Sequence, residues 1–432
     1  MSNNRAHSTG SGPASESAAE PAQSPPRALL LDRGFLTLWG VGGLNSTGRW
    51  LEMLVVAIFV LDTTHSPLLV ASMLMLRLLP MALFGAVGGV IAQRYRRLTI
   101  LRVAVTTIVL CALWLAWLAD AGLLQVWHVG VGAFVSGLAW STDFPVRRTL
   151  MSDIAGPERV GRAMSLDILV GAGTRTLGPL LGGWLYSRIG LQGAFALAAG
   201  LYFLSGLLLF LRKEFLINAR RDEVIATTDS LRKSLIDGFK ALSSSRSLPG
   251  IIAVTVVFNL WGFPFVSMVP VVGRDVFGLD PTGVGWLVSA EGAGALIGAI
   301  ALSVFAKSRQ SRIIYAIGTV AYCAFAFGFS QTQFVWLSAA WLLGLGFASA
   351  AFGSMQSALI LMNAPPGKER AMMGLLSVAI GTAPLGFLHI GLLANWLGAQ
   401  LACTLVALEG LTAMGVVLWK WPALLQPQPL RT

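Results

Sequence analysis

Six charged residues lie near the middle of the long apolar stretches that make up most of this 432-residue chain, and a seventh lies about one turn inside one of them. If these stretches cross a membrane, each charged side chain at the bilayer centre costs roughly 3 kcal/mol on insertion scales. Together the groups amount to about 20 kcal/mol, which exceeds the usual net stability of a domain. They must therefore pair, be neutralised or face water, and this makes them candidates for a functional site. The seven are Arg49, Glu52, Arg77, Asp167, Arg175, Glu291 and Glu409.

The arrangement of these charges allows several kinds of contact. Arg49 and Glu52 are three residues apart, so on a helix they can form an ion pair, which is either purely structural or part of a substrate pathway. The N-terminal half carries three arginines against two acids, whereas the C-terminal half carries two acids and no base at this depth. Two explanations stay open: acids of the second half bridge to bases of the first as a gate, or the excess arginine attracts an anionic substrate. The planar guanidinium suits the oxygens of a carboxylate or a catecholate.

Proton coupling is a further possible role for these acids. A proton-coupled antiporter needs a carboxylate for which proton and substrate compete, and burial together with a neighbouring arginine provides that balance. Glu52, Glu291 and Asp167 are the candidates, in that order. Asn259 lies in a polar, aromatic and bent stretch that includes Pro264 and suits the wall of a cavity.

The composition disfavours the soluble classes of protein. Hydrophobic residues make up 55% of the chain and charged residues 12%, whereas soluble domains carry about 25% charged residues. A chain of this size cannot bury that much apolar surface in its own core, so a soluble globular protein, a disordered protein and a nucleic-acid binder are all disfavoured. The 48 glycines fit a polytopic membrane protein, whose helices pack through small residues. The lipid bilayer is therefore the expected surrounding.

The residue spacing gives no support for enzymatic or metal chemistry. The three cysteines lie far apart inside apolar stretches and predict neither a disulfide framework nor a metal site. The four histidines are scattered and no Walker-type glycine loop is present, so a membrane enzyme and a primary pump are disfavoured. We therefore expect no catalytic residue, no metal and no cofactor.

Twelve apolar stretches, each near the ~20 residues that cross a bilayer, follow one another from Phe35 onward. They predict an all-α membrane protein in which two six-helix bundles are joined by a charged loop, with an amphipathic helix expected around Ser230–Leu242. The predicted segments are a disordered tail (1–34), the first bundle (35–211), the central loop (212–249), the second bundle (250–421) and a C-terminal tail (422–432). The predicted spans are 35–61, 67–92, 98–119, 122–143, 163–186, 191–211, 250–273, 282–305, 312–330, 334–359, 371–394 and 398–420.

The basic residues mark one side of the membrane. Arginine clusters follow span 2 and lie between spans 4 and 5, where we place Arg147 and Arg148, and eight Lys or Arg residues occupy the central loop. Only Arg188 and Arg274 fall on the other side. Cytoplasmic loops carry such an excess, so we predict a protein of the inner or plasma membrane with both termini in the cytoplasm. Topology thus explains the net charge of +11.

An internal repeat relates the two halves. Arg162-Ala163-Met164 recurs as Arg370-Ala371-Met372, and several glycines match at the same offset, among them Gly190 with Gly398. Span 2 matches span 8 at nearly the same offset. An even number of spans separates the copies, so the halves are parallel repeats about an axis along the membrane normal. This is the layout of a transporter whose binding site lies between two rocking halves.

The loop after span 2, Gly89-Val90-Ile91-Ala92-Gln93-Arg94-Tyr95-Arg96-Arg97, resembles the cytoplasmic loop motif of the major facilitator superfamily, Gly-x-Leu-Ala-Asp-Arg-x-Gly-Arg. In that family the glycine lets helices approach, while the basic residues and the acid form a lock that stabilises the outward-facing state. Gln93 replaces the acid here and Arg96 the second glycine, so the lock is weaker or uses other residues. The positions that carry the resemblance are Gly89, Gln93, Arg94 and Arg97.

A second motif indicates a branch of the superfamily. Gly178-Pro179-Leu180-Leu181-Gly182-Gly183 in span 5 resembles the end of the motif associated with exporters, although Thr174 stands at its upstream glycine position. The alternative is a generic bent helix, since Gly and Pro supply a kink and a close contact. Thr64-His65-Ser66-Pro67 and Arg77-Leu78-Leu79-Pro80 are most similar to the enterobactin-exporter-like branch, also called transmembrane secretion effectors.

The resemblance implies a secondary active transporter that works as a monomer by alternating access. Its expected cargo is a small amphipathic or anionic organic molecule of the siderophore or drug class, exported with the proton as coupling ion. Import or facilitated movement of a metabolite, vitamin or lysolipid on the same fold is the alternative, because helices do not reveal direction. By the same analogy span 12 is peripheral, and Glu409 is expected to be a structural partner or a protonated acid. His389 in span 11 is expected to be packed, because a lone histidine is more often packed than functional.

Overall fold

The structure is a computed structural model that describes residues 29–211 and 247–428, apart from 95, 157 and 307, together with 238–240, 242 and 245. The side chains of 84–94, 308 and 370 also lie outside the described part. The described residues form helices and turns, with no strand among them. The predicted N-terminal tail up to residue 28, and most of the predicted central loop with its amphipathic helix, fall outside the described residues.

The first half begins with a capped helix. The side chain of Asp32 accepts hydrogen bonds from the backbone N–H groups of Gly34 (2.9 Å) and Phe35 (3.0 Å), two of the donors that a helix start leaves without partners. Three further helices follow it through short connections. The four helices are α1 Arg33–Thr64, α2 Pro67–Arg94, α3 Arg97–Asp120 and α4 Val126–Ala155.

Two tight turns between consecutive spans use glycine in the left-handed backbone region. Gly190, with φ of 82°, divides the segment Val160–Leu211 into α5 (160–189) and α6 (191–211). Gly398, with φ of 85°, separates α11 from α12. Any other side chain would be strained at such a φ, which gives a physical reason for the match of these two glycines in the sequence repeat.

The helices of the second half are less regular. Helix α7, Leu248–Asp275, contains a π-helical turn, Phe258–Gly262, followed by a 3₁₀ turn that holds Pro264. Proline lacks the N–H that a continuous helix needs and clashes with the preceding turn, so this region cannot stay α-helical. The remaining helices are α8 Pro281–Phe305, α9 Ser311–Ser330, α10 Val335–Asn363, α11 Glu369–Ile380 with Ala383–Leu397, and α12 Ala399–Lys420.

The outer surface of the described residues is that of a membrane protein. Among the described residues, nine helical segments are long and apolar enough to cross a bilayer, one of them the segment Val160–Leu211 that holds both α5 and α6, and α2 adds the shorter apolar stretch Pro67–Leu83. Large apolar side chains on the outside are widely exposed, among them Trp336 at 88% and Phe305 at 78%. Apolar surface of this extent is stable against lipid tails and would cause association in water.

Equivalent glycines of the two halves pack against equivalent helices. Gly178 of α5 lies against α1, and its match Gly386 of α11 lies against α7. Gly183 of α5 lies against α8, and its match Gly391 lies against α2. Since α1 corresponds to α7 and α2 to α8, the sequence repeat is also a repeat of packing. This confirms the predicted fold class, an all-α membrane protein built from two parallel-repeat bundles with six spans each among the described residues.

Helix α4 extends further than the sequence predicted. The predicted span ended at Asp143, but the helix continues to Ala155, so Arg147 and Arg148 lie within it and not in a loop. Arg147 is only 6% exposed. Because charged residues lower the local hydropathy, the predicted span ended before the helix does. These residues face the space between the halves, where charge is compensated by other helices.

Candidate functional site

A cavity of about 410 Å³ lies between the two halves. Its walls come from α1, α4 and α5 of the first half and from α8 and α10 of the second. The lining positions fall in the early part of α1 and α5 and the late part of α4. The cavity therefore lies between the middle of the bundle and the face at which α1 begins, which we call the N-terminal face. Polar lining residues include Asn45, Ser46, Arg49, Asp143, Arg147, Arg148, Asp167, Arg175 and Ser349.

The opposite face of the molecule is closed by polar contacts between the halves. At the start of α8, the Asp280 carboxylate lies 3.3 Å from the Ser187 hydroxyl. The backbone N–H of Gly283 donates to Asp280 and lowers the pKa of that carboxyl, so it stays charged near neutral pH. Further contacts are Arg274 with Asp62 (2.7 Å), Thr282 with Ser187 (2.8 Å) and Ser66 with Asn395 (3.3 Å).

Glu52 pairs with Arg77 of α2, and the predicted pair with Arg49 is not formed. Glu52 Oε2 and Arg77 Nη2 lie 2.5 Å apart, and the Tyr202 hydroxyl donates to the same oxygen at 3.2 Å. The Glu52 and Arg77 side chains are 2% and 7% exposed. Spacing along α1 identified a possible neighbour, but the crossing of α2 supplies a closer one. Two charges removed from water together are stable only as a pair.

Arg49 has no carboxylate partner among the described residues. Its Nη2 donates to Ser46 Oγ at 3.0 Å, and its guanidinium lies 4.8 Å from the ring centroid of Trp140. Contact with an aromatic face supports the cation without neutralising it. Because Arg49 lines the cavity, its charge is available to an anion there.

Asp167 binds the two arginines near the end of α4. Its Oδ1 lies 2.6 Å from Arg147 Nη1, and its Oδ2 lies 2.8 Å from Arg148 Nε. The contacts tie α4 to α5 along the wall of the cavity. The sequence analysis selected Asp167 without these partners, because both arginines were assigned to a loop.

Arg175 and Glu291 link the two halves in the middle of the bundle. Arg175 Nη2 and Glu291 Oε1 lie 2.5 Å apart, and the arginine also lies 5.0 Å from the Trp50 ring. The Ser289 hydroxyl donates to the carbonyl of Thr176 at 2.7 Å, one turn away. Of the two explanations for the uneven charges, a bridge from an acid of the second half to a base of the first is the arrangement found here.

Two cavity residues were missed by the sequence analysis. Among the described residues, Asp143 Oδ1 and both side-chain polar atoms of Asn45 have no hydrogen-bond partner, and neither does the indole N–H of nearby Trp140. A buried polar group without a partner costs about 1–3 kcal/mol, so such groups mark positions for ligand or water. The only sequence signal for Asp143 was an acid at the end of a predicted span, where charge is ordinary.

The charges around the cavity do not balance. The arginines near it outnumber the acids by one. The positive groups are Arg49, Arg147, Arg148 and Arg175, and the negative groups are Asp143, Asp167 and Glu291. A single negative charge on a ligand would neutralise the site.

The other predicted residues lie outside this cavity. The Asn259 amide donates to the carbonyl of Thr255 in its own helix at 2.8 Å. Arg97 pairs with Asp153 of α4 at 2.7 Å, so an acid from the same half contacts the basic end of the loop motif. Gly178, Pro179, Gly182 and Gly183 are buried where α5 meets α1 and α8. The side chains of Gln93 and Arg94, and the surroundings of Gly89, fall outside the described residues.

Three curated relatives are similar to most or half of the chain. An uncharacterized MFS-type transporter, YfiS of Bacillus subtilis (strain 168), is 24% identical over 409 residues, covering 89% of this chain and 93% of that protein. Macrolide efflux protein A of Streptococcus pyogenes is 20% identical, with 85% of this chain and 90% of that protein covered. The staphyloferrin A transporter of Staphylococcus aureus (strain NCTC 8325 / PS 47) is 23% identical over 53% of this chain and 57% of its own length.

The fold is shared with solved transporter structures. A POT family transporter in complex with 5-aminolevulinic acid superposes with a TM-score of 0.74 at 12% identity, covering 91% of this chain and 97% of that one. The family pattern described as Major Facilitator Superfamily matches residues 38–381. This match spans most of the chain, and with the two-bundle fold and the cavity between the halves it establishes the family. The protein is a multi-pass membrane transporter and belongs to the Major Facilitator Superfamily.

Proposed function

We propose that this transporter exports a small anionic or amphipathic organic molecule from the cytoplasm by alternating access, driven by the entry of protons. Arg49 carries the proposal, because its guanidinium faces the cavity without a carboxylate partner among the described residues. The rings of Trp50 and Phe144 line the same space. A flat ligand with one carboxylate or catecholate group would match both the aromatic walls and the excess positive charge.

The orientation of the chain supports loading from the cytoplasm. The basic residues predict that the N-terminal face is cytoplasmic, in the inner or plasma membrane. The cavity lies toward that face, and polar contacts between the halves close the opposite one. In this orientation the molecule is an inward-facing carrier ready to accept cargo from inside the cell.

Two acids have the surroundings that a proton-coupled exchange requires. Asp143 is 5% exposed, faces the cavity and has an unpaired oxygen, so substrate and proton compete for the space beside it. Glu291 holds the halves together through Arg175, and its protonation would release that link. Glu52 and Asp167 are held by arginines of their own half and are assigned a supporting role.

The relatives support the class of cargo. Two of them are named for the transport of staphyloferrin A and the efflux of macrolides, and the first name denotes a siderophore transporter. Together with the Gly178–Gly183 motif and the Thr64–Pro67 segment, these names support our proposal that the chain belongs to the enterobactin-exporter-like branch of the superfamily. The working unit we propose is a monomer.

Transport into everted membrane vesicles tests direction and charge selection together. With an acidic vesicle interior, we expect the wild type to accumulate an iron-free catecholate siderophore, and Arg49→Ala to lower the rate at least tenfold. Because the aromatic walls remain, the transport rate of ethidium, a cationic dye, should fall much less. Arg309→Ala, which removes an exposed arginine outside the cavity, is the matched control.

Two outcomes would contradict the proposal. Equal loss of catecholate and ethidium transport in Arg49→Ala would assign Arg49 a structural role. Accumulation in right-side-out vesicles and not in everted ones would favour the alternative, an importer or facilitator of a small metabolite, vitamin or lysolipid.

A further inference from the structure

A second group of polar side chains lies far from the cavity, between α7, α11 and α12. His389 Nε2 lies 2.7 Å from Glu409 Oε2, and the indole N–H of Trp261 donates to the same oxygen at 2.8 Å. The side chains of His389 and Glu409 are 42% and 41% exposed. The sequence analysis treated His389 as a packed histidine and Glu409 as a structural partner or a protonated acid, and their contact was not expected.

The group faces lipid at the middle of the membrane. Glu409 lies halfway along α12, Ala399–Lys420, about 15 Å from either end. The residues beside it on the outer surface are apolar and exposed, among them Leu385, Leu388 and Leu408. Lipid cannot stabilise a net charge at this depth. The pair is therefore stable here only in a state with no net charge, in which the two side chains share one proton.

Glu409 differs from the other intramembrane acids with an ion-pair partner in the described residues. Glu52, Asp167 and Glu291 each contact arginine, which keeps its proton under all physiological conditions. The partner of Glu409 is histidine, which gains or loses a proton near neutral pH. Only this pair joins two groups that can both exchange a proton, so it can carry one, two or no protons.

The surroundings connect this pair to a movable part of the fold. Trp261 belongs to the π-helical turn of α7, Phe258–Gly262, which is followed directly by a 3₁₀ turn. Irregular turns inside a helix are common at hinges. Helix α11 is also interrupted, and its Gly386 packs directly against the backbone of Leu260 in the same turn of α7. A change of charge on Glu409 would thus act, through Trp261, on the turn of α7 that packs against α11.

We propose that His389 and Glu409 form a proton-binding site whose occupancy controls the bend of α7 through Trp261. The inference rests on the proton-coupled transport proposed above and places a coupling site outside the substrate cavity. When the pair holds one proton, Glu409 accepts from Trp261 and α7 keeps its bend. When the proton leaves, the negative charge can be stabilised only by water, so α7 and α11 must part to admit it.

No other charged group interferes with this pair among the described residues. Helix α7 contributes the indole of Trp261, and α9 contributes the thiol of Cys323, which lies on another side of α12 at Gly410. Helix α2 presents the apolar side chains of Leu68 and Ala71 to α11. A pH response of His389 therefore reports mainly on its contact with Glu409.

Nitrogen-15 NMR of histidine-labelled protein in nanodiscs tests proton binding directly. The chain has four histidines, so His389→Gln identifies the signal that belongs to position 389. We expect that signal to change with pH, and Glu409→Gln to displace the response. A His389 signal that stays constant as the pH is varied, or a response that Glu409→Gln leaves unchanged, would overturn the proposal.

Proteoliposome transport of erythromycin, a macrolide, tests the coupling. We expect a pH gradient to accelerate wild-type transport at least tenfold, and Glu409→Gln to remove that acceleration while leaving erythromycin exchange without a gradient intact. Thr412→Val, on the same exposed side of α12, is the matched control and should behave as wild type. Full acceleration in Glu409→Gln would refute the proposed proton-binding site and leave the proton-coupled transport standing. If the wild type shows no acceleration, the proton-coupled function itself fails, and the NMR response still decides whether the pair binds protons.

Discussion

Polar residues are held inside this membrane protein by ion pairs between helices. Glu52, Asp167 and Glu291 each lie within 2.8 Å of an arginine from a different helix. Removing both charges from water is costly, and only the attraction between them compensates. The loss of one partner should therefore be worse than the loss of both.

This reasoning gives a prediction for the Glu52–Arg77 pair. Glu52→Gln leaves the Arg77 cation buried without a counter-charge, so we expect the free energy of unfolding to fall by about 3–5 kcal/mol. The double variant Glu52→Gln/Arg77→Met should regain most of that loss. Thermal unfolding in detergent measures both, and Glu158→Gln, at an exposed position, serves as the control. A double variant as unstable as the single one would show that charge compensation is not the reason for the pair.

At the scale of helices, much of the fold was predictable because each half repeats one pattern. The long apolar stretches predicted the spans, and the matched glycines at 190 and 398 lie in left-handed turns that the structure then showed. The end of α4 was not predictable, because Asp143 and Arg147 look like a loop until the facing helices are known. The partners of Glu52 and Glu291 were not predictable either, since spacing along one helix says nothing about a crossing helix.

The crossing of α5 and α8 should not tolerate a side chain at its glycines. A Cβ at Gly183 would collide with the carbonyl of Pro281 and lie 3.1 Å from the Cα of Gly285. We expect Gly183→Leu to separate the halves at the closed face and to lower transport more than tenfold, because overpacking at such a contact costs about 1–3 kcal/mol. Gly200→Leu is the control, since nothing lies within 4 Å of a Cβ there. Normal transport by Gly183→Leu would mean that this crossing does not have to close during the cycle.

In the whole molecule, the contacts between the halves lie at two depths of the membrane. The face opposite the N-terminal face is joined by Arg274–Asp62 and Thr282–Ser187, and the centre by Arg175–Glu291. Alternating access requires the contacts at that face to break while contacts at the N-terminal face form. The central pair lies between these two sets, where a small rotation of the halves changes its geometry least, so we propose that it is the pivot of the motion.

A cross-link at the closed face should therefore trap the carrier. The hydroxyl oxygens of Ser187 and Thr282 lie 2.8 Å apart in different halves, so Ser187→Cys/Thr282→Cys should form a disulfide in a cysteine-free background and stop transport until a reductant is added. The control is Ser330→Cys/Thr404→Cys, whose parent oxygens lie 2.9 Å apart within the second half. This pair should cross-link equally well and leave transport unchanged, because the halves move as units. Transport that persists with the first disulfide closed, or stops with the second, would show that motion occurs within the halves and not between them.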